Sequence, residues 1–253
     1  MGAFLGQHFL NSTDVAEKLI SSSHAKSGDT VLEVGGGKGF LTEMLIKNGF
    51  KTMAVEKDKK MVGHLNKKFR KEIARGDLVV LEGDIKHTKL PQKSFHIIGN
   101  IPYYLTGIFL RRSLSADNQP KSIAILIQEE VAKRIVDKKK SSLLSLSVEH
   151  YGNASFIETV DKSAFTPEPK VMSAILLISS IKKQDKEFSE KFFKLIKQAF
   201  SHKRKKVLSN ISDESMKKAL EKIILKHNLP KDIRAEDISY SRWEETTLDL
   251  IRV

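Results

Sequence analysis

Apolar and polar residues along this chain follow two rhythms that take turns. Short apolar runs recur at 30–34, 51–55, 78–81, 95–99, 122–128, 156–160 and 174–181. Their length and their Val, Ile and Leu content predict buried strands. Between and before them, apolar residues fall at helical spacing from about Asp14 and over 40–47, 129–136 and 143–151. Gly28-Asp29 turns into the first of the strands, and Asn48-Gly49 marks the end of the helix over 40–47. Strands alternating with helices predict an α/β fold, because parallel strands need a crossover between them. After Ser180 the composition turns charged and helical. There Phe192, Leu195, Ile196, Ala199 and Phe200 predict one buried helical stripe. Pro230 and Trp243 are expected in the core of that helical lobe. The boundary is expected between Ile181 and Glu187, giving domains 1–182 and 183–253.

Chemistry gathers where the predicted strands end. The strand over 30–34 runs into Gly35-Gly36-Gly37-Lys38-Gly39 and then a helix. Glycines in such a turn accept positive φ and let a ligand approach the backbone. The next strand ends at Glu56, ~20 residues on, where an acid can take ribose hydroxyls. A dinucleotide would favour G-x-G-x-x-G, and no glycine stands three residues after Gly39. A further acid, Asp84, follows the strand over 78–81 and can accept from an adenine amino group. Glycines plus two acids, with no phosphate to hold, fit S-adenosylmethionine (SAM) better than a dinucleotide. Each acid also has a plainer reading. Glu56 could be a solvated acid at a helix start, and Asp84 an ordinary turn residue.

Asn100-Ile101-Pro102-Tyr103 follows the run over 95–99, at the sheet edge where open α/β proteins bind ligands. The Asn100 side-chain oxygen and a backbone carbonyl of Ile101 or Pro102 can both accept from one amino group. Tyr103 offers a flat face for a ring. Together they describe a holder for an exocyclic amine on a planar base, although Pro-Tyr after a strand also makes an ordinary turn.

The 253 residues suffice for one α/β domain with a small appendage. A formal net charge of +13 favours a polyanionic partner. With no cysteine there is neither a disulfide framework nor a thiolate metal site. No His/Asp/Glu cluster has metal spacing, so no metal is expected. Neither a leader-like start nor a run of eighteen apolar residues is found, so a cytoplasmic protein without membrane contact is expected. Basic runs usually form solvated faces, as Lys57-Lys59-Lys60 and Lys67-Lys68-Arg70-Lys71 can. His202-Lys203-Arg204-Lys205-Lys206 stands between two apolar helices instead, where Lys203, Arg204, Lys205 and Lys206 could meet phosphates. Lys138-Lys139-Lys140 is a second candidate.

Read together, these segments resemble the KsgA-type small-subunit rRNA adenine N6-dimethyltransferases, with the Erm 23S rRNA methyltransferases as relatives. Gly6-Gln7-His8-Phe9-Leu10 resembles the family's N-terminal SAM motif, and Glu33 to Gly39 its glycine loop. Glu56, Gly83-Asp84 and Asn100 to Tyr103 resemble the three motifs that follow. Ala164-Phe165-Thr166-Pro167-Glu168-Pro169-Lys170-Val171 resembles its late F-x-P-x-P-K-V signature. Two C-terminal strings, Ala199 to Asn210 and Arg234-Ala235-Glu236-Asp237-Ile238-Ser239, resemble the KsgA type rather than Erm. Departures are Gly36 for Pro, Lys38 in the loop, Tyr104 for Asn, Ser142 to Ser145 for Gly-Arg-Leu-Ser, and Met172 for an acid or amide.

The resemblance implies a Rossmann-like SAM-dependent methyltransferase sheet over 1–182 and a small helical RNA-binding domain over 183–253. SAM would be held by Gln7, His8, Leu10, Gly35, Gly37, Glu56, Asp84 and Asn100. Asn100, Ile101, Pro102 and Tyr103 would handle the target adenine, with Phe165 stacking on its other face. The implied activity is dimethylation of adjacent adenosines near the 3′ end of small-subunit rRNA, by a monomer acting on the RNA or a pre-30S-like particle. An Erm-type enzyme acting on large-subunit rRNA and a non-catalytic ribosome or transcription factor with the same fold are the alternatives.

Overall fold

Branched and aliphatic residues fill the strands, and polar caps start several of the helices. In the computed structural model, which describes residues 8–252, the strands are β1 (Phe9–Leu10), β2 (Thr30–Val34), β3 (Lys51–Glu56), β4 (Leu78–Glu82), β5 (Phe95–Asn100), β6 (Ile123–Gln128), β7 (Asn153–Val160), β8 (Phe165–Thr166) and β9 (Ser173–Ser179). The helices are α1 (Thr13–Ser22), α2 (Phe40–Lys47), α3 (Lys59–Lys68), α4 (Arg70–Arg75), α5 (Thr106–Leu114), α6 (Glu129–Val136), α7 (Leu143–Tyr151), α8 (Lys186–Ala199), α9 (Val207–Asn210), α10 (Glu214–Lys226) and α11 (Tyr240–Ile251). Ser12, Asp58, Asp185 and Asp213 each accept from a backbone N–H of the first turn they cap. Such caps satisfy donors that a helix start otherwise leaves open.

Seven strands form one sheet in the order β4-β3-β2-β5-β6-β9-β7. The pairs from β4 to β6 are parallel, and β9 is antiparallel to both of its neighbours. The chain steps outward from β2 to β3 and β4, then returns to lay β5 on the other side of β2. That reversal leaves a crevice beyond the carboxyl ends of β2 and β5, the place where such sheets bind ligands. Every second residue on one face, Ile98 of β5, Ala124 and Leu126 of β6, and Ile175 and Leu177 of β9, packs with Leu19, Ile20, Leu41 and Leu45 of α1 and α2. Period-two alternation thus joins the sheet to its covering helices.

The strand rhythm predicts β2 and α2 to the residue, and the remaining sheet strands within about three residues of their ends. It does not predict β1 or β8. Each is two residues long, and they pair antiparallel as Phe9 with Thr166 and Leu10 with Phe165. Asn11 reinforces this ladder, its backbone N–H donating to the Ala164 carbonyl and its side chain to Thr166 Oγ1. The N-terminal motif and the late Pro-punctuated motif therefore meet in space.

The chain divides into two compact units, one up to residue 132 with 152–181, the other 133–151 with 182 onward. Sequence reading ran the first domain without a break to 182; the second unit instead takes in α7. Leu146 of α7 is buried with Phe192, Leu195 and Ile196 of α8 and with Trp243 of α11. Trp243 is in that core as expected, whereas Pro230 is exposed. A proline after α10 serves the turn and has no apolar partner to seek.

Candidate active site

The crevice at the β2–β5 reversal encloses about 850 Å³ of non-protein space, its open mouth included. His8, Gly35, Gly37, Glu56, Asp84, Asn100, Ile101, Pro102 and Tyr103 all line it. Successive strand ends deliver them: β2 the glycines, β3 Glu56, β4 the loop to Asp84, and β5 Asn100.

Gly35 and Gly37 take φ of +81° and +51°. At Gly37 a Cβ would also lie 3.0 Å from Cδ1 of Phe9, whose ring forms part of the wall. Only glycine fits a backbone of that sign pressed against a ring. Lys38, the unusual charge in the loop, sets its ammonium 4.9 Å from the centroid of the same Phe9 ring.

Glu56 is buried, and its carboxylate is the anchor of the loop. Oε2 accepts from Gly37 N at 2.8 Å, and Oε1 from the backbone N–H groups of Lys57 and Asp58, each at 2.8 Å. Asp84 accepts from Lys86 N at 3.0 Å and meets the Lys57 ammonium at 3.1 Å. Burial pushes the Asp84 carboxyl up, but the Lys86 N–H and the Lys57 and Lys86 ammonium groups outweigh it, and its pKa lies below the ordinary value. Glu33, one residue inside β2, is fully buried and behaves oppositely. Burial lifts its pKa to about 8, opposed by the Thr42 hydroxyl and aided by the Glu56 charge. Thr42 donates to Oε2 at 2.6 Å, and Oε1 has no partner. The neutral form of Glu33 therefore prevails at pH 7.

Asn100 has the most directed geometry. Its Nδ2 donates to the His8 carbonyl at 2.7 Å, and Oδ1 makes no hydrogen bond to any described residue. The amide is held with its acceptor end open. His8 is itself fixed by a 2.7 Å contact from Nδ1 to the Pro167 carbonyl, and its ring stacks on Tyr103 at 6.1 Å and 27°. The Tyr103 hydroxyl meets Ser173 Oγ at 2.8 Å, which fixes the ring.

Two expected residues are elsewhere, for one reason. Leu10 and Phe165 face each other across the β1–β8 ladder and are buried in the main core, 6% and 2% exposed. Side chains alternate along a strand, so within β1 Phe9 turns to the crevice and Leu10 turns away; His8, which precedes the strand, also lines the crevice. Phe165 has no open face for a base in this arrangement. Gln7 lies outside the described residues. Sequence reading missed Phe9, Lys57 and the apolar wall of Val34, Val55 and Ile85. Strand alternation from the glycine loop could have found Val34 and Val55, while Phe9 needed the unforeseen ladder. Lys203, Arg204, Lys205 and Lys206 are exposed before α9 and make no ion pair with any described residue. Lys138 and Lys140 differ, since they pair with Glu149 and with Glu236 and Asp237.

This donor set fits a nucleoside sulfonium. The glycine turn gives close approach, Glu56 and Asp84 offer carboxylates at adjacent strand ends, and Val34, Val55 and Ile85 supply apolar walls. Among the described residues no group of three or more His, Asp or Glu could hold a metal ion. No described helix is long and apolar enough to cross a membrane.

Comparison with known proteins agrees with this geometry. Residues 2–248 match the family model described as ribosomal RNA adenine dimethylase. A ribosomal RNA small subunit methyltransferase A from Dehalococcoides mccartyi is 34% identical over 97% of this chain and 87% of its own. Its counterpart from Fusobacterium nucleatum is 33% identical over 95% and 94%. Among solved structures, a dimethyladenosine transferase from Plasmodium falciparum superposes with a TM-score of 0.78 at 22% identity, covering 97% and 98% of the two chains. The 23S rRNA methyltransferase ErmE gives 0.77 at 20% identity over 96% and 99%. These two share the fold.

Proposed function

This chain belongs to the ribosomal RNA adenine dimethylase family, and on that premise we propose that it transfers methyl groups from SAM to N6 of adjacent adenosines near the 3′ end of small-subunit rRNA, two to each. The observation that carries this reading is the Asn100 amide, held by the His8 carbonyl with Oδ1 uncommitted. Adenine N6 is a weak nucleophile because its lone pair is spread into the ring. Asn100 Oδ1 and the Ile101 or Pro102 carbonyl would accept its two N–H hydrogens and draw the nitrogen toward a tetrahedral shape, which localises the lone pair. SAM, when bound, supplies a methyl group on a positively charged sulfur. No strong base is needed, since the N–H becomes acidic as the new bond forms. The rate comes from positioning and from keeping water out. Tyr103, fixed by His8 and Ser173, would stack on the extruded base.

Glu56 would take the ribose of SAM and Asp84 its adenine amino group, with Lys57 yielding its contact to Asp84. The exposed, unpaired run of Lys203, Arg204, Lys205 and Lys206 would meet RNA phosphates. We extend the proposal to an assembling small-subunit particle in the cytoplasm as the natural substrate. The relatives that are about one-third identical carry small-subunit names, which weighs against the large-subunit alternative.

The test is transfer of labelled methyl from SAM to undermethylated small subunits. The wild-type protein should yield N6,N6-dimethyladenosine. Asn100→Ala should lose about 10²–10³ in rate, the scale set by removing one directed polar contact from a reacting centre. Binding of SAM and subunits without transfer by the wild type would instead identify a non-catalytic factor.

A further inference from the structure

One aromatic ring at the crevice has no part in the reaction just described. Tyr104 lines the same pocket as Asn100 and Tyr103, yet it is 61% exposed. Its hydroxyl has no partner among the described residues. Tyr103 and Tyr104 share one 3₁₀ turn, Tyr103–Leu105. With three residues per turn, neighbouring side chains there diverge by about 120°. Tyr103 is turned inward by its bond to Ser173, so Tyr104 is left at the rim. Ile108, four residues on in α5, is also exposed, at 47%.

We propose that Tyr104 is a second stacking platform, for the nucleobase next to the target adenine in the RNA strand. The proposal rests on reading the crevice as the adenine site. Extruding one base from a stack strips a face from its neighbour. A planar ring beside the entry restores that contact, and any base can use it because every base has a π face. The residue next to Tyr103 in the chain then serves the nucleotide next to the target in the strand. Tyr104 carries no charge, so its contribution does not depend on salt, unlike that of the lysines and arginines. It acts in positioning, and it touches neither the reacting nitrogen nor the methyl donor.

The experiment compares wild type, Tyr104→Ala and Tyr104→Phe on three hairpin RNAs. One is intact, and the others carry an abasic site on the 5′ or 3′ side of the target adenosine. RNA affinity, SAM affinity and methyl transfer are measured for each. On intact RNA, Tyr104→Ala should weaken binding about thirtyfold, the middle of the range for loss of one stacked base. Transfer at saturating RNA and SAM affinity should stay near wild type, and Tyr104→Phe should match wild type throughout. On one of the abasic RNAs, wild type and Tyr104→Ala should bind alike. An equal penalty on all three RNAs, or a loss confined to SAM affinity, overturns the platform. Failure of the wild type to methylate intact RNA or small subunits would defeat the underlying adenine-site reading, a result separate from either of those.

Discussion

At the residue scale, the side chains with special chemistry are polar groups whose surroundings, by burial or by hydrogen bonding, fix their state. Glu33 makes the point without touching the crevice. Its folded pKa of about 8 exceeds the ordinary 4.5, so the native state holds a proton that the unfolded chain releases in between. Its contribution to stability is complete below about 4.5 and is lost as pH rises through about 8. Glu33→Gln stays neutral and can still accept from Thr42. Urea midpoints for this variant should therefore fall less between pH 5 and pH 9, by the equivalent of a few kcal/mol. Parallel pH profiles for variant and wild type would refute the assignment. The meeting of Asn100, Tyr103, Glu56 and Asp84 in one crevice was legible from sequence because strand ends in an α/β sheet converge by topology. The burial of the Leu10 and Phe165 side chains was not legible, because a motif names residues without saying which way they face.

At the scale of elements, the glycine turn is the tightest part of the site. Gly39, with φ of +78°, starts α2, and a Cβ there would lie 2.5 Å from Phe69 Cε2 and 2.9 Å from Leu65 Cδ2. Gly39→Ala should cost about 1–3 kcal/mol of stability in denaturant titration, through strain and overpacking. It should also weaken SAM binding in calorimetry, because the loop that Glu56 anchors ends at this residue. An unchanged unfolding midpoint would show that α3 and α4 give way at no cost. The longer elements were legible because their apolar spacing repeats over five or more residues. β1 and β8 were not, since two residues have no period to read. The assignment of α7 to the second unit was equally hidden, because an apolar face in sequence does not say which core receives it.

At the scale of the whole molecule, the +13 charge is a statement about partners. Neutralising Lys203, Arg204, Lys205 and Lys206 together to serine should reduce the slope of log affinity for RNA against log salt by about 3. SAM affinity should not move, and an unaltered slope would place the phosphate contacts elsewhere on the chain. Fold class and the helical lobe were legible at this scale from rhythm and composition alone, whereas the meeting of the two ends of the first unit was not. That meeting sets an order of events during synthesis. The contact between Asn11 and Thr166 spans 155 residues, and the one between His8 and Pro167 spans 159. The carbonyl that orients Asn100 belongs to this N-terminal segment, whose ladder partner is translated long after the glycine loop and β5. A nascent chain halted before Ala164 has most of the sheet but lacks both the β8 partner of the N-terminal segment and the Pro167 carbonyl that holds the His8 ring. The protein proposed to finish a ribosome thus leaves its own ribosome with the last clasp of its active site among the later contacts to form.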